Sequence, residues 1–190
     1  PGYNPANGTE LLGLAEGGIK ISLLKVNQLN INNVEMLNEF YFKTMHHEFA
    51  HILHQTKNYP VDFNLLSYKN YDPYNWQERH NEIAWSLGFT SPYGSSQTRE
   101  DFVEVIANYI VKTDVDWNTM LEKAAKEWVY NEATETLSES TLTTDGVNGA
   151  EVIQRKLTLC RLWLKDAWGI NLDQLRDEVQ TRQANIDINA

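Results

Sequence analysis

The segment His47-Glu48-Phe49-Ala50-His51 carries two imidazoles and a carboxylate in a spacing that lets one helix present them to a single metal ion. At about 100° per residue, His47 and His51 fall roughly 40° apart on one helical face, one turn above the other. A zinc ion held there lowers the pKa of a bound water toward neutrality. Glu48, on the flank of the same face, can take that water's proton as it attacks a carbonyl. The chemistry predicted is metal-assisted hydrolysis. The plain alternative is a surface helix with incidental histidines.

A catalytic zinc takes three protein ligands and keeps one position open. In the extended pattern H-E-x-x-H-x-x-G-x-x-H the third ligand is a histidine, but here the last two positions hold His54 and Lys57. The other source is a glutamate on a later helix, and the candidates cluster in Thr98-Arg99-Glu100-Asp101-Phe102-Val103-Glu104. Residues 98–112 read as a helix with its apolar stripe at Phe102, Val105, Ile106, Tyr109 and Ile110. Asp101 aligns with Asn108 and Lys112 on the expected solvent side, and stands third after Thr98 in a capping-box arrangement. Glu100 and Glu104 share a face with Ala107 and Val111 that is expected to be buried, where a carboxylate needs a partner. Glu100 is therefore the expected third zinc ligand. Glu104, one turn on, is the expected acceptor for an imidazole N–H of His47 or His51. Two solvated glutamates are the alternative.

Composition bounds the elements that position these side chains. The 190 residues are 42% hydrophobic and 11% aromatic, enough for one core and one domain over 1–190, a metal-site half (1–112) followed by a helical part (113–190). Six tryptophans and nine tyrosines argue against disorder, and a net charge of -10 argues against nucleic acid or an anionic membrane surface as partner. Cys160, the one cysteine, is expected as a small buried hydrophobe; a closed, thiolate-rich structural zinc site cannot be built. No apolar run is long enough to span a bilayer, and no basic-then-apolar leader opens the chain. A chain starting at Pro1 without methionine is expected to be a trimmed or mature fragment, with any export signal or lipid anchor upstream. The sequon Asn7-Gly8-Thr9 is a common accidental match.

Glycine turns around Gly17-Gly18 precede 19–23, whose period-two alternation predicts a strand near the metal helix. Asn32 with Glu35 reads as a capping box. Leu37, Phe40, Met45, Phe49, Ile52 and Leu53 continue as a helix to about Gln55, so the metal motif occupies its last two turns. The stretch 57–97, rich in Asn, Tyr, Pro, Ser and Gly with a short element near 82–89, can wall a cleft. Amphipathic segments near 117–132, 150–168 and 171–184 predict helices, and the polar 135–149 predicts a loop. The class is α+β and mostly helical: a small N-terminal sheet, the H-E-x-x-H helix, the glutamate helix and a C-terminal helical subdomain.

With histidines in His-Glu-Phe-Ala-His and a glutamate on a downstream helix, the chain resembles the gluzincin branch of the zincin metallopeptidases. Residues 93–104 are similar to the tyrosine-to-glutamate segment of lethal-factor-type proteases. In those a tyrosine seven residues ahead of the ligand glutamate reaches the active site and a glutamate one turn later braces a zinc histidine. Tyr93 fits the first position and Glu104 the second. Gly17-Gly18, the run 45–55, Gly88-Phe89 and Glu100-Asp101-Phe102 resemble more closely the zinc-binding metallopeptidase lipoproteins of Gram-negative outer-membrane nutrient-import systems. The resemblance covers roughly residues 10–112. It implies a zincin-like fold, one catalytic Zn2+, and an exported, periplasmic or outer-membrane lipoprotein with an import complex as partner. It leaves the peptide or protein substrate unspecified.

The expected mechanism is peptide-bond hydrolysis, with Glu48 as base and then proton shuttle and Tyr93 donating a hydrogen bond to the developing oxyanion. A packed loop aromatic is the alternative for Tyr93. If the strand from Ile19 is a free edge, an extended peptide could add to it. The other class of function is a fold retained as a binding or accessory module without turnover. Of the remaining histidines, His54, seven residues from His47 and almost on the same face, could approach the site but is expected to hydrogen-bond within the fold, His46 to be packed or loop-facing and His80 to lie in an exposed loop. The six tryptophans are expected in the core or between helices rather than as carbohydrate platforms.

Overall fold

In the computed structural model, residues 3, 8–140 and 146–184 are described; Asn7 of the sequon lies outside them. Strands β1 (Gly13–Glu16) and β2 (Lys20–Leu23) form an antiparallel hairpin with Gly13 opposite Leu23 and Glu16 opposite Lys20. The tight turn between them needs two left-handed residues, and Gly17 and Gly18 supply them at φ 61° and 70°. Ile19 belongs to this turn, 90% exposed, so the expected strand starts one residue later. Its partner β1, Gly-Leu-Ala-Glu, is strand through pairing rather than propensity. The hairpin is tied to the metal helix. Gly18 N–H donates to Gln55 Oε1 (2.7 Å), and Gln55 Nε2 donates to Ala15 O (3.3 Å).

Helix α1 (Val34–Leu37) runs through a π-helical stretch (Asn38–Phe42) into α2 (Lys43–Thr56). The expected capping box is displaced by one residue: Asn33, not Asn32, accepts from Met36 N–H, which leaves Glu35 too early in the helix to reach back. The 57–97 stretch holds two short helices, α3 (Asp62–Leu65) and α4 (Asn81–Ser86), and single 3-10 turns at Trp76–Glu78 and Tyr93–Ser96.

Helix α5 (Thr98–Val111) is the centre of the molecule, buried at every position from Glu100 to Val111. Its apolar residues share one cluster with Leu53 of α2, Trp117 and Met120 of α6 (Asp114–Ala124), and residues of two later helices. The expected helix over 117–132 is corrected: α6 ends at Ala124, and Trp128–Asn131 is strand β3, paired antiparallel with β4 (Thr136–Glu139). The aromatic and β-branched Trp128, Val129 and Tyr130 favour extended backbone, and Glu135 at φ 51° makes the turn. The loop expected at 135–149 therefore contains a strand; residues 141–145 lie outside those described. Helices α7 (Gly149–Trp168) and α8 (Leu172–Ala184) match expectation, with Gly169 at φ 69° closing α7. Ile153, Leu157, Cys160 and Trp163 of α7 and Leu172 of α8 complete the core, with Cys160 fully buried as expected.

Asp101 is a second correction. It is fully buried, its Oδ2 2.6 Å from Lys156 Nζ of α7, and it accepts from the Tyr71 hydroxyl at 2.6 Å. Lys156 also donates to Gly88 O (2.7 Å) and lies 4.3 Å above the Phe89 ring. Asn108 is buried too, so α5 has no solvent face at these positions; Asp101 finds its partners on neighbouring elements, and Asn108 donates to Glu104 within α5. His80 is half-buried at the residue just before α4, with its ring 4.2 Å from that of Tyr130, and not an exposed residue. Among the described residues no helix is long and apolar enough to cross a membrane.

Candidate metal centre

α2 packs against α5, and this contact brings the predicted ligands together. His47 Nε2, His51 Nε2 and Glu100 Oε2 lie at the corners of a triangle whose three sides are each 3.1 Å. All three side chains are buried, at 7%, 9% and 8% exposure. Zinc bonds of about 2.0–2.2 Å in tetrahedral geometry separate neighbouring donors by about 3.3 Å, close to this triangle. His47 Nδ1 is 2.8 Å from Glu104 Oε1, an acceptor, so a neutral His47 keeps its proton on Nδ1 and turns a lone pair to the centre of the triangle. His51 Nδ1 lies 2.7 Å from His54 Nε2. Donor lone pairs that converge at this distance repel unless a cation sits between them. The residues present fit a zinc ion.

Without the ion the same contacts place a proton there. Burial works against charging His47, but the hydrogen bonds and charges of Glu100 and Glu104 outweigh it and push its pKa up to about 10. Burial likewise opposes the Glu100 carboxylate, which His47 and His51 nevertheless hold down to about 2. Glu104 is opposed by burial and held well below the usual carboxylate range by the Lys43 charge, His47 and Ser91. Ser91 donates to Glu104 Oε2 at 2.5 Å, and Asn108 Nδ2 donates to the same oxygen at 3.1 Å. Glu104 thus braces His47, one of the two histidines expected to use it. Ser91 and Asn108 were not foreseen as part of this arrangement. Asn108, four residues after Glu104, had the spacing to reveal it.

Glu48 is 7% exposed and opens with His47 onto a cavity of about 600 Å3 between α2, the segment 9–13 and the 76–93 stretch. Burial raises the Glu48 carboxyl pKa, while the neighbouring His47 and His51 charges pull it down. A carboxylate raised above its ordinary value is a better proton acceptor. β1 comes unusually close: a Cβ on Gly13 would lie 2.7 Å from both Glu48 Cγ and Oε1. Only glycine permits that approach, and nothing in the sequence marked Gly13 out. The chain bordering the cleft is therefore the approach to β1, not the strand from Ile19.

Tyr93 begins the 3-10 turn before α5, with its ring stacked on His47 at 5.8 Å. Trp76 meets it edge-on at 4.9 Å and lines the cavity, so this tryptophan belongs to the cleft wall. Burial, then Glu100 and Glu104, push the Tyr93 hydroxyl pKa up, which keeps it a proton donor. His46 is packed, its pKa held down to about 4 by burial. His54 hydrogen-bonds within the fold.

Residues 1–173 match the model of a family described as "Putative zinc-binding metallo-peptidase". A crystal structure of a "putative zinc-binding metallo-peptidase" from Bacteroides caccae is similar, at 37% identity and a TM-score of 0.72 over 93% of this chain. The chain spans 60% of that protein's length. No curated protein matches the chain.

Proposed function

Because the chain belongs to the family described as "Putative zinc-binding metallo-peptidase", we propose that it is a gluzincin-type zinc peptidase that hydrolyses peptide bonds at one ion held by His47, His51 and Glu100. The observation that carries this reading is the 3.1 Å triangle of donor atoms, whose His47 corner lines, with Glu48, a cavity large enough for a peptide segment. A zinc ion held there supplies a Lewis acid that polarises a carbonyl and acidifies water. Glu48 takes the proton of the attacking water and passes it to the leaving amine. The Tyr93 hydroxyl donates a hydrogen bond to the carbonyl oxygen as charge builds on it. Glu104 holds the His47 ring with Nε2 facing inward. The segment 9–13, which lines the cavity, is the part of the chain beside which a peptide substrate would lie. An exported lipoprotein serving an outer-membrane import complex is part of the proposal, on the resemblance alone.

The test is turnover of a broad peptide library by zinc-loaded wild type and Glu48→Gln. The reading expects cleavage by wild type, a loss of at least about a hundredfold in the variant, and unchanged zinc binding. Equal inertness of both, with zinc bound, would leave a binding module in place of an enzyme.

A further inference from the structure

His54 is a buried histidine at the edge of the donor triangle that neither faces the ion position nor enters the hydrolysis. It lies three residues after His51 on α2, and its ring is held edge-on by Tyr59 (5.6 Å, 89°) and Phe102 (6.4 Å, 89°). Phe102 comes from the same helix as Glu100. Among the described residues, His54 Nε2 is the hydrogen-bond partner of His51 Nδ1, at 2.7 Å. His51 Nε2 faces both His47 Nε2 and Glu100 Oε2 at 3.1 Å, so with a cation in place that nitrogen must carry a lone pair. A neutral imidazole has one N–H, and it is then on Nδ1, pointing at His54. His54 must accept there and keep its own proton on Nδ1.

We propose that His54 is a positioning residue for the metal site, fixing the tautomer and ring orientation of His51 through this imidazole-to-imidazole hydrogen bond. The inference rests on the zinc-peptidase reading. The two ligand histidines are thus braced by unlike acceptors, His47 by the Glu104 carboxylate and His51 by a neutral ring. The difference has a physical reason. Glu48, Glu100 and Glu104 already match the two positive charges of a zinc ion and the one of Lys43, and a neutral acceptor braces His51 without burying a fourth carboxylate.

The test is zinc titration of the metal-free protein against a competing chromophoric chelator, for wild type, His54→Phe and His54→Gln. Phenylalanine keeps ring volume without an acceptor; glutamine restores an acceptor oxygen at similar reach. His54→Phe is expected to bind zinc about 10–100-fold more weakly at unchanged far-UV circular dichroism, and His54→Gln to recover most of the loss. Nitrogen-15 NMR of zinc-loaded wild type is expected to show His51 protonated at Nδ1 and metal-bound at Nε2, and it decides the matter if the phenylalanine variant does not fold. His54→Phe binding zinc as tightly as wild type, or His51 Nδ1 without a proton, overturns the proposal. A wild type that binds no zinc sinks the peptidase reading itself.

Discussion

Glu48 and Gly13 meet so closely that the backbone of β1 is in effect part of the base's surroundings. A Cβ at position 13 would press on Glu48 Cγ and Oε1 at 2.7 Å and on Thr44 Cγ2 at 2.8 Å. Gly13→Ala should therefore displace the Glu48 carboxylate and leave the donor triangle intact. The expected outcome is a kcat lowered by at least about tenfold with zinc affinity unchanged, since small misplacements of a reacting group carry large rate penalties. A variant with wild-type kcat would show that Glu48 does not need this position. His47, Glu48 and His51 were legible in the sequence because their geometry is local to one helix. Glu100 and Glu104 were nearly so, because helical periodicity separates their face from that of Asp101. Gly13 was not, because its constraint comes from a side chain 35 residues away that touches it only after the hairpin folds onto α2.

At the scale of elements, α5 is fixed from both sides: α2 meets it through the histidines, and α7 meets it through Lys156. The Lys156 and Asp101 pair is fully buried; burial lowers the lysine pKa and raises that of the aspartate, and the attraction between the two charges offsets part of that cost. Removing one partner strands the other charge. Lys156→Met should destabilise the fold by about 3–5 kcal/mol in urea unfolding, and Lys156→Met with Asp101→Asn by clearly less. Equal losses in the single and double variants would contradict the pairing. Here the sequence misled for a physical reason. An amphipathic helix reads as having a solvent side, and Asp101 and Asn108 mark it, but α5 is enclosed and its polar residues are matched by Tyr71, Lys156 and Glu104. The β3–β4 hairpin was hidden in the same way, by a short alternation next to a true helix.

For the whole molecule, buried histidines couple stability to pH in opposite directions. His46 and His54 have pKa values held down to about 4, by burial in both cases with the His51 charge adding to it for His54. Between about 6.5 and 4 the unfolded chain binds protons that the folded chain refuses, so their contribution is lost as pH falls through that window. His47 in the metal-free protein works the other way. With its pKa raised to about 10 against burial by Glu100 and Glu104, its contribution is full below about 6.5 and lost as pH rises through about 10. The urea midpoint of the metal-free protein should peak near neutral pH and fall on both sides, and bound zinc, replacing the His47 proton, should remove the alkaline decline. A midpoint that rises from pH 7 to 10 without metal would contradict this.

Diffraction from zinc-loaded crystals at the zinc absorption edge tests the convergence of α2 and α5 on one cation most directly. The predicted result is a single anomalous peak bonded at about 2.0–2.2 Å to His47 Nε2, His51 Nε2 and a Glu100 oxygen, with Glu104 against His47 Nδ1. A peak elsewhere, or an ion held by the two histidines with Glu100 turned away, would contradict it.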